Sequence, residues 1–162
     1  MSESLTLFGV EIDGLTAKQK ASIERLMAGE DPKTIVGIRD ADIETIYAAG
    51  YQFYTSAKYE RALPLLTVAC TYQASEARYW MALGGCRQML KDNEGAITAY
   101  GMCYALDSKN PWPLIHTGLC CLALADVERA SEALLLAERT NAAAGNDKSA
   151  ADRIAALRAC LS

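Results

Sequence analysis

Apolar residues recur at helical spacing along most of the chain, and one arrangement of them returns every 34 residues. Three such units begin at Ile43, Ala77 and Pro111. In each unit the eighth residue is glycine, the twentieth is alanine and the twenty-fourth is large and apolar: Gly50, Ala62 and Leu66; Gly84, Ala96 and Tyr100; Gly118, Ala130 and Leu134. Small residues let two helices approach closely, and the bulky residue fills the space beside them. Each unit is therefore predicted to be a helical hairpin.

The helical period breaks once inside each unit, near residues 56–58, 91–93 and 125–126. These breaks predict the turns of the three hairpins. Before the third unit, Ser108-Lys109-Asn110-Pro111 predicts that one helix stops and the next begins, because proline is accepted in the first turn of a helix. No segment shows a strand pattern, so we expect an all-α fold.

The residues outside the three units also carry helical patterns. Thr16 and Gln19 have the spacing of a capping box, which predicts a helix that continues to Gly29. Asp31-Pro32 predicts the start of a short helix. Residues 146–161 predict a final helix whose apolar face is formed by Ala151, Ile154, Leu157 and Leu161. This helix would cap the stack of hairpins, because an end unit otherwise exposes its stacking face.

Specific residues connect this pattern to a known family. The spacing of Trp80, Leu83, Gly84, Ala96, Tyr100 and Pro111 resembles the tetratricopeptide repeat. More narrowly, the runs IYAAGYQFY (46–54), KYERA (58–62) and RYWMALGGCRQ (78–88) resemble the class II chaperones of bacterial type III secretion systems. Those chaperones hold pore-forming translocator subunits before export. The resemblance covers residues 33–144 and is strongest from Tyr47 to Gln88.

The resemblance implies an architecture and a function. It implies a right-handed α-solenoid of three repeats (43–76, 77–110 and 111–144), with an N-terminal helical arm (1–42) and a C-terminal capping helix (145–162). It also implies a cytoplasmic chaperone that binds hydrophobic translocator proteins and prevents their premature association and degradation. In the family the arm is linked with homodimerisation, and the apolar residues there are Ile23, Leu26, Met27 and Ile35.

In a stack of hairpins, the first helices of successive units line the concave face. Offsets two, five, nine and twelve of each unit fall on one stripe of that face. The residues predicted to bind a ligand are Glu44, Tyr47, Tyr51 and Tyr54 in the first unit, Arg78, Met81 and Gln88 in the second, and Trp112, Ile115 and Leu119 in the third. A largely apolar patch of this kind predicts a partner chain. The alternative is that the protein's own termini, or a second copy, fill it.

The stripe also predicts the kind of ligand. Recognition of a terminal carboxylate needs several cationic or amide side chains, and Arg78 is the one basic residue on the stripe. An extended apolar peptide fits better, because tyrosine combines apolar area with a hydroxyl group. The family resemblance implies proline-spaced segments of the form Pro-x-Leu-x-x-Pro, whose preset backbone lowers the ordering cost.

Composition narrows the function classes. The chain of 162 residues is 51% hydrophobic and carries a net charge of −4, so direct nucleic-acid binding is not expected. No apolar run is long enough to span a membrane, and residues 1–15 lack the basic start of a secretory leader. The six cysteines lie in apolar, alanine-rich segments, which indicates packing in a reducing compartment.

Catalytic and metal sites are not predicted. His116 and Cys120 are four residues apart on one helical face, but no Asn or Asp is placed to orient the imidazole. A zinc site would need ligands beyond His116, Cys120 and Cys121, and Cys86 is the further candidate because it shares its repeat offset with Cys120. We therefore expect neither an enzyme nor a cofactor.

Two other functions stay open at this point. Some members of the family also bind a transcriptional regulator after their cargo is exported, and nothing in these residues selects for that role. A general tetratricopeptide scaffold with an unrelated peptide ligand would show the same repeats. Identification of the proteins that co-purify with this protein would distinguish these functions.

Overall fold

The computed structural model describes residues 5–7, 10–12 and 16–161. They belong to two compact units, Met1–Asp42 and Ile43–Ser162. Residues 1–4, 8–9 and 13–15 of the predicted arm lie outside the described residues, and so does Ser162 at the end of the predicted capping segment. The expectation about a secretory leader concerns residues 1–15, and most of these lie outside the described residues.

The first unit begins with two short antiparallel strands, β1 (Leu5–Leu7) and β2 (Val10–Ile12), in which Leu5 pairs with Ile12. The prediction that the chain has no strand is therefore wrong at this point. Each strand alternates apolar and polar residues over only three positions, which is too short to register as a strand pattern. The fold of the described chain is nevertheless dominated by helices.

Two helices complete the first unit, α1 (Ala17–Met27) and α2 (Pro32–Val36). The predicted capping box is present, because the Thr16 hydroxyl accepts from the Gln19 backbone N–H and the Gln19 side chain accepts from the Thr16 N–H. The predicted start at Asp31-Pro32 is also confirmed, since the Asp31 carboxylate caps α2.

Seven further helices, joined by short turns, follow in the described chain. In chain order they are α3 (Asp40–Thr55), α4 (Tyr59–Tyr72), α5 (Ala77–Met89), α6 (Asn93–Leu106), α7 (Trp112–Ala123), α8 (Val127–Ala143) and α9 (Lys148–Ala159). Consecutive helices pack as three hairpins followed by α9, as predicted from the 34-residue period. Along residues 16–161, none of the helices combines the length and the apolar character that a bilayer crossing needs.

The turn inside each hairpin has the same backbone conformation. Ala57, Lys91 and Ala125 all adopt positive φ, at 57°, 66° and 58°. This left-handed conformation is costly for residues with a Cβ atom. The positions are spaced by the repeat length, and they confirm the turns predicted near residues 56–58, 91–93 and 125–126.

The predicted contact between the eighth and twenty-fourth residues is present in all three hairpins. A Cβ atom added to Gly50 would lie 3.2 Å from the Leu66 side chain, and one added to Gly84 would lie 2.6 Å from the Tyr100 ring. At Gly118 the distance to the Leu134 side chain would be 2.9 Å. A Cβ atom at Gly84 or Gly118 would force the bulky side chain to shift, and at Gly50 the contact would be tight.

The C-terminal core is built where α9 packs on α7 and α8. Its buried members are Leu114, Ile115, Leu134, Ala137, Ala150, Ile154 and Leu157. The predicted apolar face of the last helix is thus largely confirmed, although Ala150 is fully buried where Ala151 was expected. Asp147 is the N-cap of this helix, and its carboxylate accepts from the Ser149 N–H.

Candidate functional site

A groove of about 610 Å³ runs across α3, α5 and α7. Of the residues predicted to bind a ligand, it is lined by Tyr47, Tyr51, Tyr54, Arg78, Met81, Gln88 and Leu119. These side chains come from three helices that are distant in sequence, and they meet because steps of three and four residues stay on one side of a helix. The predicted stripe is therefore one continuous surface over most of its length.

The α3 end of the groove is a row of tyrosines. The ring centroids of Tyr47 and Tyr51 are 5.7 Å apart, and those of Tyr51 and Tyr54 are 6.0 Å apart. Tyr47 also stacks on Tyr79 at 4.3 Å and is only 9% exposed, whereas Tyr51 is 45% exposed. Tyr47 therefore forms the floor of the groove, and Tyr51 offers the larger free surface.

Tyr54 is held by a contact with α5. A Cβ atom on Gly85 would lie 2.5 Å from the Tyr54 hydroxyl, so a larger residue at position 85 would force the Tyr54 ring to shift. Burial raises the pKa of Tyr47 and Tyr54, and both hydroxyls stay protonated at neutral pH. Each can therefore act as a hydrogen-bond donor.

Arg78 is engaged by carboxylates. Its Nη2 and Nη1 atoms donate to the two oxygens of Glu44 at 2.6 and 2.9 Å, and its Nε donates to Glu76 at 3.2 Å. The guanidinium also lies over the rings of Tyr47 and Tyr79, at 5.1 and 4.9 Å. Because its charge is compensated, this part of the groove is poorly suited to a terminal carboxylate, as the sequence predicted.

Glu44 supports this arrangement from the edge of the groove and does not line it. One of its oxygens also accepts from the Tyr79 hydroxyl at 2.7 Å. The hydrogen bonds from Arg78, and then that from Tyr79, lower the pKa of Glu44. Its place is therefore beside the ligand surface, where it orients Arg78.

Sequence analysis missed several lining residues at the other end of the groove: Met89, Tyr100, Cys103, Asp107, Asn110 and His116. Tyr100 was assigned only the space-filling role beside Gly84, yet its hydroxyl reaches the groove and donates to Gln88 Oε1 at 2.8 Å. Its ring stacks on His116 with centroids 5.2 Å apart and planes 19° apart. His116 lies one residue from the predicted stripe position 115, which was the available indication.

Two predicted ligand residues, Ile115 and Trp112, are not among those that line the groove, and the prediction for Ile115 is wrong. Ile115 is fully buried in the C-terminal core, and Trp112 is half-buried against the same core, so neither lines the groove. The physical reason is the final helix: α9 packs on α7 and covers the part of the stripe that those residues would have exposed. In this region the protein's own C-terminal helix fills the face.

His116 and Cys120 do not form a reactive pair. The Nδ1 atom of His116 is buried and has no hydrogen-bond partner among the described residues, and burial lowers the pKa of the imidazole. Cys120 is fully buried, and burial raises its pKa to about 11, so its thiol stays protonated. Among residues 16–161, no group of three His, Cys, Asp or Glu side chains is placed to hold a metal ion.

An apolar patch also lies within the first unit. Ile23, Leu26, Ile35 and Val36 border a shallow cavity of about 170 Å³. Leu26 and Val36 are 51% and 59% exposed, and the neighbouring Met27 is 58% exposed. The residues singled out for dimerisation are thus close together, while Val36 was missed because α2 is too short to show a clear apolar face.

Three hairpins with the same internal contact, whose first helices form a peptide-sized groove, define a tetratricopeptide-repeat protein. No family model matches the chain. Over 143 residues it is 24% identical to low calcium response locus protein H of Yersinia pestis, and the match covers 88% of this chain and 85% of that protein.

Two solved structures share the fold. PcrH of Pseudomonas aeruginosa, solved with the chaperone binding region of PopD, is 28% identical with a TM-score of 0.71, over 77% of this chain and 94% of that one. The type III secretion chaperone SycD of Yersinia enterocolitica, solved with a peptide of the translocator YopD, is 25% identical with a TM-score of 0.70, over 76% and 94%. The chain is thus similar in sequence and fold to translocator chaperones of bacterial type III secretion.

Proposed function

We propose that the protein is a non-enzymatic cytoplasmic chaperone that holds an extended, apolar segment of a translocator protein in the groove. The observation that carries this proposal is the meeting of seven predicted ligand residues in one open groove. PcrH and SycD have been solved with segments of translocators, which supports the same class of ligand for this chain.

The groove favours apolar side chains with a few hydrogen bonds to the ligand backbone. Tyr51 and Met81 offer apolar surface, and the protonated hydroxyl of Tyr54 can donate. Three buried ligand side chains supply about 5 to 9 kcal/mol in total. Ordering six flexible residues costs about 1 to 2 kcal/mol each. A useful affinity therefore requires a preorganised segment, and prolines spaced as in Pro-x-Leu-x-x-Pro provide it.

The apolar patch on α1 and α2 supports a homodimer. A SycD structure is described as a dimer. Among residues 16–42 of this chain, Leu26, Met27 and Val36 expose large apolar side chains, and a second copy would bury them.

The test is binding of a fluorescently labelled synthetic peptide with the Pro-x-Leu-x-x-Pro spacing, measured by anisotropy against a scrambled peptide. Tyr51→Glu and Met81→Glu place a charge on the groove wall and should each weaken binding at least tenfold. The matched control is Met102→Glu, because Met102 is 40% exposed on α6 and does not line the groove. Binding that is unchanged in both groove variants, with circular dichroism unchanged, would overturn the proposal.

A further inference from the structure

We propose that Gln88 is the polar specificity residue of the groove: its side-chain N–H group donates to a backbone carbonyl of the bound segment, and Tyr100 is the positioning residue that orients it. This inference rests on the proposed function and adds to it a recognition role for one amide and a positioning role for a buried tyrosine of the groove wall.

The first step is the orientation of the amide. The Tyr100 hydroxyl donates to Oε1 of Gln88 at 2.8 Å, so this oxygen is held by Tyr100. The Nε2 atom then points away from Tyr100. Gln88 is half-buried and lines the groove, and no hydrogen bond from Nε2 is present in the part of the chain that the structure describes. A planar amide with one end fixed thus presents its two N–H donors to the ligand space.

The second step is the rigidity of Tyr100. Tyr100 is 1% exposed. One side of its ring packs against Gly84, in the space that a Cβ atom would fill, and the ring also stacks on His116. The ring is therefore held on two sides, and its hydroxyl is a fixed donor. Burial raises the pKa of Tyr100, so the proton that orients Gln88 is retained.

The third step concerns what the ligand offers. An extended peptide in an apolar groove carries carbonyl groups that lose water on binding, and each unpaired carbonyl is unfavourable. Met89 and Leu119 also line the groove, and their side chains cannot donate. A backbone carbonyl is therefore the ligand atom that fits the free N–H group of Gln88.

The test uses the labelled Pro-x-Leu-x-x-Pro peptide and the full chain. Gln88→Leu removes the donor, and we expect the affinity to fall about threefold to tenfold. Gln88→Glu keeps an acceptor for Tyr100 and the side-chain length, but it faces the peptide carbonyl with a carboxylate oxygen, so we expect a loss of at least tenfold. Gln52→Glu is the control, because Gln52 is exposed on α3 and does not line the groove.

The positioning role of Tyr100 needs its own readout. Tyr100→Phe removes only the hydroxyl, and we expect a loss in affinity of about threefold. In a Gln88→Leu background the same change should cost nothing further, because no amide remains to be oriented. Tyr104→Phe is the matched control: Tyr104 is on the same helix, and its hydroxyl contacts Thr140 Oγ1 at 3.1 Å, outside the groove.

The outcomes separate this inference from the proposed function. If Met81→Glu abolishes binding while Gln88→Leu and Gln88→Glu bind as tightly as the wild type, the groove is correct and the role of Gln88 is wrong. If Tyr100→Phe loses as much affinity in the Gln88→Leu background as in the wild type, Tyr100 acts through the fold and its positioning role is wrong. If Met81→Glu and Tyr51→Glu both bind normally, the proposed function fails.

Discussion

The contact between Gly84 and Tyr100 makes a quantitative prediction about stability. A Cβ atom on Gly84 would lie 2.6 and 2.7 Å from two carbons of the Tyr100 ring, and that ring cannot move aside because it is buried and stacked on His116. Overpacking of a core position costs about 1 to 3 kcal/mol, and this contact belongs at the upper end. Alanine regains about 1 kcal/mol of helix propensity over glycine. We therefore expect Gly84→Ala to lower the free energy of unfolding by about 1 to 2 kcal/mol.

The matched control is Gly101→Ala in α6. A Cβ atom there would meet no other atom within 4 Å, so only the helix propensity changes. This variant should raise the free energy of unfolding by about 1 kcal/mol. Both values can be measured by urea unfolding followed by circular dichroism at 222 nm, with equal slopes as the test of a common transition. If Gly84→Ala were as stable as Gly101→Ala, the close approach of the two helices would not constrain this hairpin.

Three further predictions concern a turn, a buried imidazole and the first unit. Ala125→Gly should raise the free energy of unfolding by about 0.5 to 1 kcal/mol, because glycine adopts the positive φ of 58° without strain; a destabilised variant in urea unfolding would contradict this. Burial, and to a smaller extent Arg153, lowers the pKa of His116 in the folded protein. As the pH falls through about 6.5, the unfolded chain therefore takes up a proton at His116 before the folded protein does. The free energy of unfolding should decline from that pH down to the folded pKa of His116. His116→Phe should reduce that decline in unfolding measured between pH 7.5 and 5.5, and an unchanged slope would exclude His116 as its cause. Leu26→Glu should shift a dimer towards monomer in analytical ultracentrifugation while the peptide affinity per chain stays the same, and an unchanged mass would remove the apolar patch from the dimer contact.

The repeat register was predictable because it depends on local side-chain size. In each unit a glycine and a bulky residue lie sixteen positions apart, as Gly84 and Tyr100 do. In a helical hairpin this spacing brings the two residues into contact. The tyrosines of α3 were predictable for the same reason, since helical spacing alone puts them on one side.

Other features depend on packing between elements that are distant in sequence. Ile115 has the stripe position of a groove residue, yet α9 covers it, and the spacing within one unit contains no information about how the last helix docks. Tyr100 was recognised only as a spacer because its second role, the hydrogen bond to Gln88, depends on the direction of its hydroxyl. The short strands were missed because three alternating residues do not distinguish a strand from a loop.

The most direct test of the central claim is photocrosslinking at defined positions. Tyr51 is replaced by the photoreactive residue p-benzoylphenylalanine, which preserves an aromatic side chain on the groove wall, and Met102 on α6 is replaced in a second variant. After irradiation with the Pro-x-Leu-x-x-Pro peptide, we predict a crosslinked product at position 51, competed by unlabelled peptide, and none at position 102. Crosslinking at position 102 with none at position 51 would place the ligand outside the groove and contradict the account.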